Sequence, residues 1–246
     1  MKYTFKDLKN KVVILTGGSG FFGKQISQSL TNNGCKIIIL DIYKNPTKNK
    51  NIFFYKCNIA SENELKAISK KIIKKFKKID ILINNASNNY SPENKNKDMF
   101  DLENFDLDLW NKDLQVGLTG AFLCTKIFGS LMSKNRKGNI INISSDLGII
   151  SPDQRLYSGF VKPISYSAVK HGVIGLTKYT ATYWASKNIR CNSFAPGGIF
   201  NKQPKNFLSK ITKLIPMKRL ANKNEYKSAV KFLCTIESSY MTGQNI

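Results

Sequence analysis

Short apolar runs alternate with longer amphipathic stretches along most of this 246-residue chain. The runs are rich in Ile and Val and show little polar alternation, which indicates strands buried on both faces of a parallel sheet. The pattern predicts strands at 11–16, 36–41, 52–56, 79–84, 138–144 and 189–195, and helices at 22–32, 62–77, 107–134, 164–187 and 223–235. Strands joined by helices in this way predict one domain over residues 1–246, an α/β fold with helices on both faces of a doubly wound sheet.

Composition excludes several classes of protein. No apolar run reaches the roughly 18 to 20 residues of a membrane span, and the polar N-terminus lacks the apolar core of a signal peptide. We therefore expect a cytoplasmic protein without a membrane partner. The five cysteines are scattered without a Cys-x-x-Cys pair, and His171 is the single histidine. A His-based zinc site and a Ser-His-Asp triad are thereby excluded, and no metal site is predicted.

The net charge of +23 raises the hypothesis of a nucleic-acid partner. The lysines are spread along the chain among Asn and Ile, and no stacking aromatics interleave with them. We therefore expect no nucleic acid. General solvated charge is the default explanation, and a positive surface would also suit an anionic substrate.

A glycine-rich turn, Thr16-Gly-Gly-Ser-Gly-Phe-Phe-Gly23, lies between the first predicted strand and the first helix. Glycines there let backbone amides approach a pyrophosphate, whose charge the helix N-terminus favours, as in Rossmann-type folds. The second strand ends at Asp41, a carboxylate suited to the hydroxyls of an adenosine ribose. Because it would repel a 2′-phosphate, we predict NAD(H) over NADP(H), although the nearby Lys44 could offset part of that repulsion.

Tyr166 and Lys170 are four residues apart in a predicted helix, so their side chains share one face. An ammonium beside a phenol favours the phenolate and lowers the pKa of the phenol. Such a tyrosine can exchange a proton with an alcohol or a carbonyl. The same spacing also arises by chance on solvated helices. The pair therefore indicates a catalytic role only in combination with the other motifs.

Together these motifs resemble the short-chain dehydrogenase/reductase family over nearly the whole chain. The glycine turn resembles its cofactor motif, Asn84-Asn-Ala-Ser87 its Asn-Asn-Ala-Gly segment, and Ile143-Ser-Ser145 its catalytic serine segment. The resemblance implies hydride transfer between a nicotinamide and a carbinol carbon. It assigns Tyr166 as general acid or base, Ser145 as the group that holds the reacting oxygen, and Lys170 as a ligand of the nicotinamide ribose. The implied cofactor-binding residues are Gly17, Ser19, Gly20, Phe22, Gly23, Asp41, Asn58, Ile59, Asn85, Ala86, Tyr166, Lys170, Pro196, Gly197 and Ile199.

The chain departs from the family pattern at several positions. Gly117 stands where the family usually has an asparagine that supports a water linked to the catalytic lysine, so we expect that proton relay to differ or to be impaired. Asn58 replaces a common aspartate, and Ser145 lies about eight residues further from Tyr166 than usual. The sequence ends at Ile246 where the family continues through a last strand, and we expect a weaker strand or oligomer interface there.

Segments 147–175 and 195–201 resemble a bacterial subgroup associated with surface-carbohydrate and flagellin-glycan biosynthesis, including nonulosonic acid pathways. This implies a sugar-like substrate, such as a sugar phosphate or nucleotide sugar, with substrate loops at about 88–106, 147–163 and 197–215. The family implies a homodimer or homotetramer. Two alternatives stay open: a 3-oxoacyl or small-ketone reductase, and a catalytically impaired NAD-binding regulatory protein.

Overall fold

A computed structural model of the protein describes residues 5–44, 49–90, 98–157 and 159–246. Six strands lie within these ranges: β1 (Val12–Thr16), β2 (Lys36–Asp41), β3 (Ile52–Lys56), β4 (Ile81–Asn84), β5 (Gly138–Ile143) and β6 (Ile189–Phe194). All pair in parallel in the order β3-β2-β1-β4-β5-β6. The order reverses between β1 and β4, which opens the crevice at the carboxyl ends of the strands where such sheets bind nucleotides. The predicted fold is confirmed.

The helices of the described ranges are α1 (Phe21–Thr31), α2 (Glu62–Phe76), α3 (Leu107–Lys134), α4 (Ile164–Tyr183), α5 (Lys205–Leu214) and α6 (Lys227–Cys234). Two turns of α3, Gln115–Thr119 and Thr125–Gly129, have π-helical hydrogen bonding. Ser61 caps α2 by accepting from the Glu64 amide, and Asp106 caps α3 by accepting from the Leu109 amide. These side chains satisfy amides that would otherwise lack partners in the first turn.

Successive strand residues face two separate cores, one on each side of the sheet. Ile14 and Ile38 pack in a core that includes side chains of α2, α3 and α4, whereas Leu15 and Ile39 pack in one that includes α1 and α6. All four are fully buried. This period of two explains why the strands read as continuous apolar runs in the sequence.

Element boundaries differ modestly from those that we predicted. Strand β4 begins at Ile81 instead of residue 79, α4 ends at Tyr183, and α6 begins at Lys227 instead of residue 223. The larger difference is α5, which lies inside the segment 197–215 that we predicted as a loop. Part of another predicted loop, residues 91–97 of 88–106, lies outside the described residues.

The last residues of the sequence run parallel to β6. Asn245 bridges Ser193, and backbone hydrogen bonds join Ser193 to Gln244 and Ala195 to Ile246. The segment thus occupies the position beside β6 that a further strand would take. Its pairing holds the end of β6, from which the Pro196 turn begins.

Within the described ranges, Leu107–Lys134 is one helix whose length and composition would suffice for a membrane span. Half of its apolar window is buried inside the fold, where Cys124 and Phe128 pack on the sheet. Burial against the sheet accounts for this apolar character, as in a core helix of a water-soluble protein.

Candidate active site

The glycine turn forms a close-packed cradle between β1 and α1. Gly17 has φ +63°, and a Cβ there would lie 2.8 Å from Ala86 Cα. A Cβ on Gly23 would overlap the Gly17 carbonyl oxygen, so α1 can begin this close to the turn because the residue is glycine. The N-terminus of α1 therefore opens onto a backbone surface with room for a pyrophosphate, and the residues fit a dinucleotide.

The Asp41 carboxylate lies beside this cradle at the end of β2. Its Oδ2 accepts from the Ser19 amide at 2.9 Å, and its Oδ1 accepts from the Tyr43 amide at 3.0 Å. The two bonds hold the carboxylate at the edge of the cavity, where it can also accept from ribose hydroxyls. Lys44 is exposed and is not seen to pair with Asp41.

The loop after β4 is tied to β1 by Asn85. Its Nδ2 donates to the Thr16 and Gly17 carbonyls, each at 3.0 Å, while the Thr16 hydroxyl accepts from the Asn85 and Ala86 amides. These bonds close the switch point between β1 and β4. Asn58 and Ile59, which follow β3, line the same cavity.

Ser145 follows β5 and lines the cavity together with Asp146. The Ser145 hydroxyl donates to Asp146 Oδ1 at 2.7 Å, and the Asp146 amide donates to the Pro196 carbonyl at 3.2 Å. Gly197 in turn donates its amide to the Tyr226 hydroxyl at 3.1 Å. The loops after β5 and β6 are thus bonded to each other beside Ser145.

Tyr166 and Lys170 lie one turn apart on α4, with Lys170 buried and Tyr166 partly buried. The Lys170 ammonium lies 5.5 Å from the centre of the Tyr166 ring and donates to the Ile143 carbonyl at 3.0 Å. Burial, together with the charge of Lys162, lowers the pKa of Lys170 to about 8. Burial raises the pKa of Tyr166, against the effect of a hydrogen bond with Ser145.

One cavity of ≈ 790 Å³ contains all of these groups. Every catalytic and cofactor-binding residue that the sequence predicted lines it, from Gly17 and Asp41 to Ser145, Tyr166, Lys170, Pro196, Gly197 and Ile199. Residues 147–163 and 197–215, two of the predicted substrate loops, also contribute to its walls. The structure therefore brings the predicted residues together from all along the chain.

Sequence reasoning missed two charged residues: Lys162, which lines this cavity, and Asp113, which bonds the cavity residue Asn88. Lys162 is 9 % exposed and places its ammonium over the Tyr166 ring, where it donates to Asn89 Oδ1. The buried Asp113 of α3 accepts from Asn88, Tyr90 and Ser165 at 2.6–2.8 Å. Neither set of contacts could be predicted from the spacing of residues in the sequence, because each joins segments that are distant along the chain.

An aromatic cluster connects the three predicted substrate loops. Phe100 packs 5.2 Å from the ring of Tyr90 and 5.2 Å from that of Phe160. Tyr157 continues the cluster, 5.8 Å from Phe160 and 5.3 Å from Phe207. One hydrophobic cluster thus includes side chains from the loops after β4, β5 and β6.

Gly117 lies in the first π-helical turn of α3 against the helix that carries Tyr166. A Cβ at this position would overlap Cγ1 of Val169 and would lie 3.3 Å from its Cγ2. Val169 is 2 % exposed. The space that a side chain at residue 117 would need is therefore filled by Val169, the neighbour of Lys170.

A parallel sheet of this order, with a glycine turn after β1 and a carboxylate at the end of β2, defines a dinucleotide-binding α/β protein. Residues 11–206 match the family described as short chain dehydrogenase. The chain belongs to this family, as its motifs predicted, and is an oxidoreductase that acts on CH–OH or carbonyl groups.

Comparison with known proteins agrees with this assignment. The chain is 31 % identical to a 3-oxoacyl-[acyl-carrier-protein] reductase of Synechocystis over 96 % of this chain and 94 % of that protein. A short chain dehydrogenase of Leptospira borgpetersenii with bound NAD+ superposes with a TM-score of 0.90 at 29 % identity, covering 100 % of this chain and 94 % of the other. The ligand-free aldohexose dehydrogenase of Thermoplasma acidophilum gives a TM-score of 0.83 at 28 % identity, covering 98 % and 93 %.

Proposed function

We propose that this protein is a cytoplasmic NAD(H)-dependent oxidoreductase that interconverts an alcohol and a ketone on a sugar-like metabolite. The observation that carries the proposal is the convergence of Ser145, Tyr166 and Lys170 on the cavity that also contains the glycine cradle. That convergence also favours an active enzyme over a regulatory protein without turnover.

When bound, the nicotinamide supplies or accepts the hydride. Tyr166 exchanges the proton of the reacting hydroxyl, and Ser145 holds that oxygen by a hydrogen bond. For Ser145 to donate to the substrate, its hydroxyl turns away from Asp146 Oδ1, its partner at 2.7 Å in this structure. Lys170 binds the nicotinamide ribose and favours the phenolate of Tyr166.

NAD(H) is the proposed cofactor because Asp41 presents a carboxylate where the adenosine ribose would lie. A 2′-phosphate there would face the like charge of Asp41, and Lys44 is exposed. The bound NAD+ of the Leptospira relative supports the same choice. Titrating the protein with NADH and NADPH tests it directly, and tighter binding of NADPH would refute it.

Polar side chains at the substrate end of the cavity support a sugar-like substrate. Asp146, Asp153, Lys162 and Gln203 line that end and can bind several hydroxyls, and Lys162 adds a positive charge for an anionic group. The likeness to the Thermoplasma aldohexose dehydrogenase supports this choice of substrate class. A phosphorylated or nucleotide-linked sugar would satisfy both features.

A 3-oxoacyl thioester is the second candidate, since the Synechocystis relative carries the name of such a reductase. An apolar wall formed by Phe207, Ile211 and Leu214 of α5 could receive an acyl chain. The two candidates differ in what the far end of the cavity must bind.

Nicotinamide absorbance during incubation with a panel of probes separates the candidates. The panel contains aldohexoses, their phosphates, nucleotide sugars and acetoacetyl-coenzyme A. Turnover of sugars supports the first proposal, turnover of the thioester alone supports the second, and the absence of turnover with every probe would contradict both.

The variant Tyr166→Phe tests the proposed proton donor. It should lower turnover by about 10²–10⁴-fold, since only the proton path is removed. Binding of NADH should stay close to that of the wild type, which serves as the control for folding. Retained turnover in this variant would refute the role of Tyr166.

A homodimer or homotetramer is the proposed assembly. Phe122 of α3 and the stacked rings of Tyr179 and Tyr183 on α4 are exposed, with the two tyrosine centroids 5.8 Å apart. These neighbouring helices offer an apolar surface of the kind that subunits cover. Light scattering coupled to gel filtration tests the proposal, and a monomer at micromolar concentration would contradict it.

A further inference from the structure

Lys162 is a second buried lysine beside the proposed acid/base residue. Its Nζ lies 3.9 Å from the centre of the Tyr166 ring, whereas Nζ of Lys170 lies 5.5 Å away. The side chain is 9 % exposed and lines the cavity. A cation within about 6 Å of an aromatic face is attracted by the ring, and more strongly where water is excluded.

Three contacts fix the position of this lysine. Its ammonium donates to Asn89 Oδ1 at 2.7 Å. The Gln154 side chain bonds both backbone groups of Lys162, accepting from its amide at 2.9 Å and donating to its carbonyl at 3.1 Å. Pro163 follows directly, and α4 begins at Ile164. Lys162 is therefore held at a set distance from the start of the helix that carries Tyr166.

Asp113 extends this support to both sides of the contact. It accepts from Asn88 and Tyr90, the neighbours of Asn89, and from Ser165, the neighbour of Tyr166. Asp113 is 5 % exposed and accepts hydrogen bonds at both of its carboxylate oxygens. It therefore holds the loop after β4 against the start of α4. Asp113 thus helps to fix the distance between Lys162 and the Tyr166 ring, because it holds a neighbour of Tyr166 and both neighbours of Asn89.

The charges that face Tyr166 come from several elements. Lys170 lies on its own helix, Asp146 follows β5 beside Ser145, and Tyr157 and Lys162 belong to the loop before α4. Burial lowers the pKa of each lysine to about 8, so both ammonium groups are costly to keep in the cavity. Ionisation of a phenol that contacts both would offset that cost, because it places an anion beside two buried cations.

We propose that Lys162 is a positioning residue that favours the phenolate of Tyr166 and so brings its proton-accepting form to lower pH. The inference rests on the proposed role of Tyr166 as acid/base. Lys162 adds a second cation near the ring to the one that Lys170 supplies. The three groups then titrate as a coupled set, in which loss of one ammonium changes the ionisation of the tyrosine.

Direct titration of Tyr166 tests the proposal without a substrate. The protein is labelled with ¹³C at tyrosine Cζ and followed by NMR as a function of pH, and Tyr166→Phe identifies the resonance. In Lys162→Met the midpoint of this resonance should rise by about one pH unit, the low end of the shifts that an opposite charge at this range produces. The matched control is Lys178→Met. Lys178 is an exposed lysine of the helix that carries Tyr166, and its replacement should leave the midpoint unchanged.

Two further variants separate charge from packing. Lys162→Arg keeps the charge and should return the midpoint towards the wild-type value, whereas Asn89→Ala removes the anchor of the ammonium and should give a smaller rise than Lys162→Met. Thermal unfolding of each variant confirms that it is folded. An unchanged or lower midpoint in Lys162→Met, or equal rises in the Met and Arg variants, would overturn the proposal.

The titration and the turnover assays fail independently. A raised midpoint in Lys162→Met together with unimpaired turnover in Tyr166→Phe would refute the role of Tyr166 while leaving its contact with Lys162 established. Loss of turnover in Tyr166→Phe without a raised midpoint in Lys162→Met would refute only the role of Lys162.

Discussion

The contact between Gly117 and Val169 gives a quantitative prediction about the helix that carries Tyr166 and Lys170. Replacing Gly117 by Asn would place a Cβ against Cγ1 of Val169, with Cγ2 3.3 Å away. Both helices are packed against the sheet, so neither can retreat freely. Overpacking of this kind destabilises by about 1–3 kcal/mol.

A compensating substitution makes the prediction sharp. Val169→Ala removes the two buried methyl groups that the new side chain would meet, at a cost of about 1.6 kcal/mol if each contributes ~0.8 kcal/mol. In the double variant the Asn side chain takes the vacated space. The double variant should therefore be more stable than the sum of the single effects by about 1–3 kcal/mol.

Urea unfolding followed by circular dichroism measures the four proteins of this cycle. The control is Gly175→Ala in α4, where a Cβ would meet nothing within 4 Å, and where replacing glycine in a helix should stabilise by up to about 1 kcal/mol. Additivity of the two substitutions within about 0.5 kcal/mol would refute the reasoning, because it would show that the residues do not compete for space.

Two further predictions concern buried groups. Burial lowers the pKa of Lys162 to about 8, whereas an exposed lysine in the unfolded chain has a pKa of about 10.4. The unfolded chain therefore binds this proton more tightly than the folded protein does. The wild type should consequently gain stability as pH rises from 8 towards about 10.4. Lys162→Met should consequently be more stable than the wild type by about 1–4 kcal/mol at pH 7. Thermal unfolding should show this difference in stability narrowing as pH rises over that range. A difference that stays constant with pH would contradict the prediction. All five cysteines are buried, and burial raises the pKa of Cys35 and of Cys57 to about 12. Native protein at neutral pH should react with a thiol reagent at none of them and unfolded protein at all five, so a rapidly modified thiol in the native state would show that its burial is wrong.

The parts of the site that were predictable from the sequence rest on short-range rules. Gly17 and Gly23 follow from the geometry of a strand-to-helix turn, and Tyr166 and Lys170 from the spacing of one helical turn. Strand positions followed from apolar runs, since a sheet buried on both faces leaves little choice of residue.

The parts that escaped prediction depend on contacts between distant segments. Lys162 contacts Asn89, which is 73 residues away in sequence, and Gln154 bonds both backbone groups of Lys162. Helix α5 lies in a segment that we predicted as a substrate loop, although Phe207, Ile211 and Leu214 recur with helical spacing. Gly117 could be noted as a departure from the family, but its partner Val169 becomes evident only when α3 and α4 pack.

The aromatic cluster has a consequence for changing what the enzyme accepts. Tyr90, Phe100, Tyr157, Phe160 and Phe207 come from three separate segments yet share one set of ring contacts. Exchange of a single segment for that of a relative would leave the rings of the other two without matching surfaces. Redesign of substrate specificity in this enzyme therefore requires that the three segments be transplanted together as a unit.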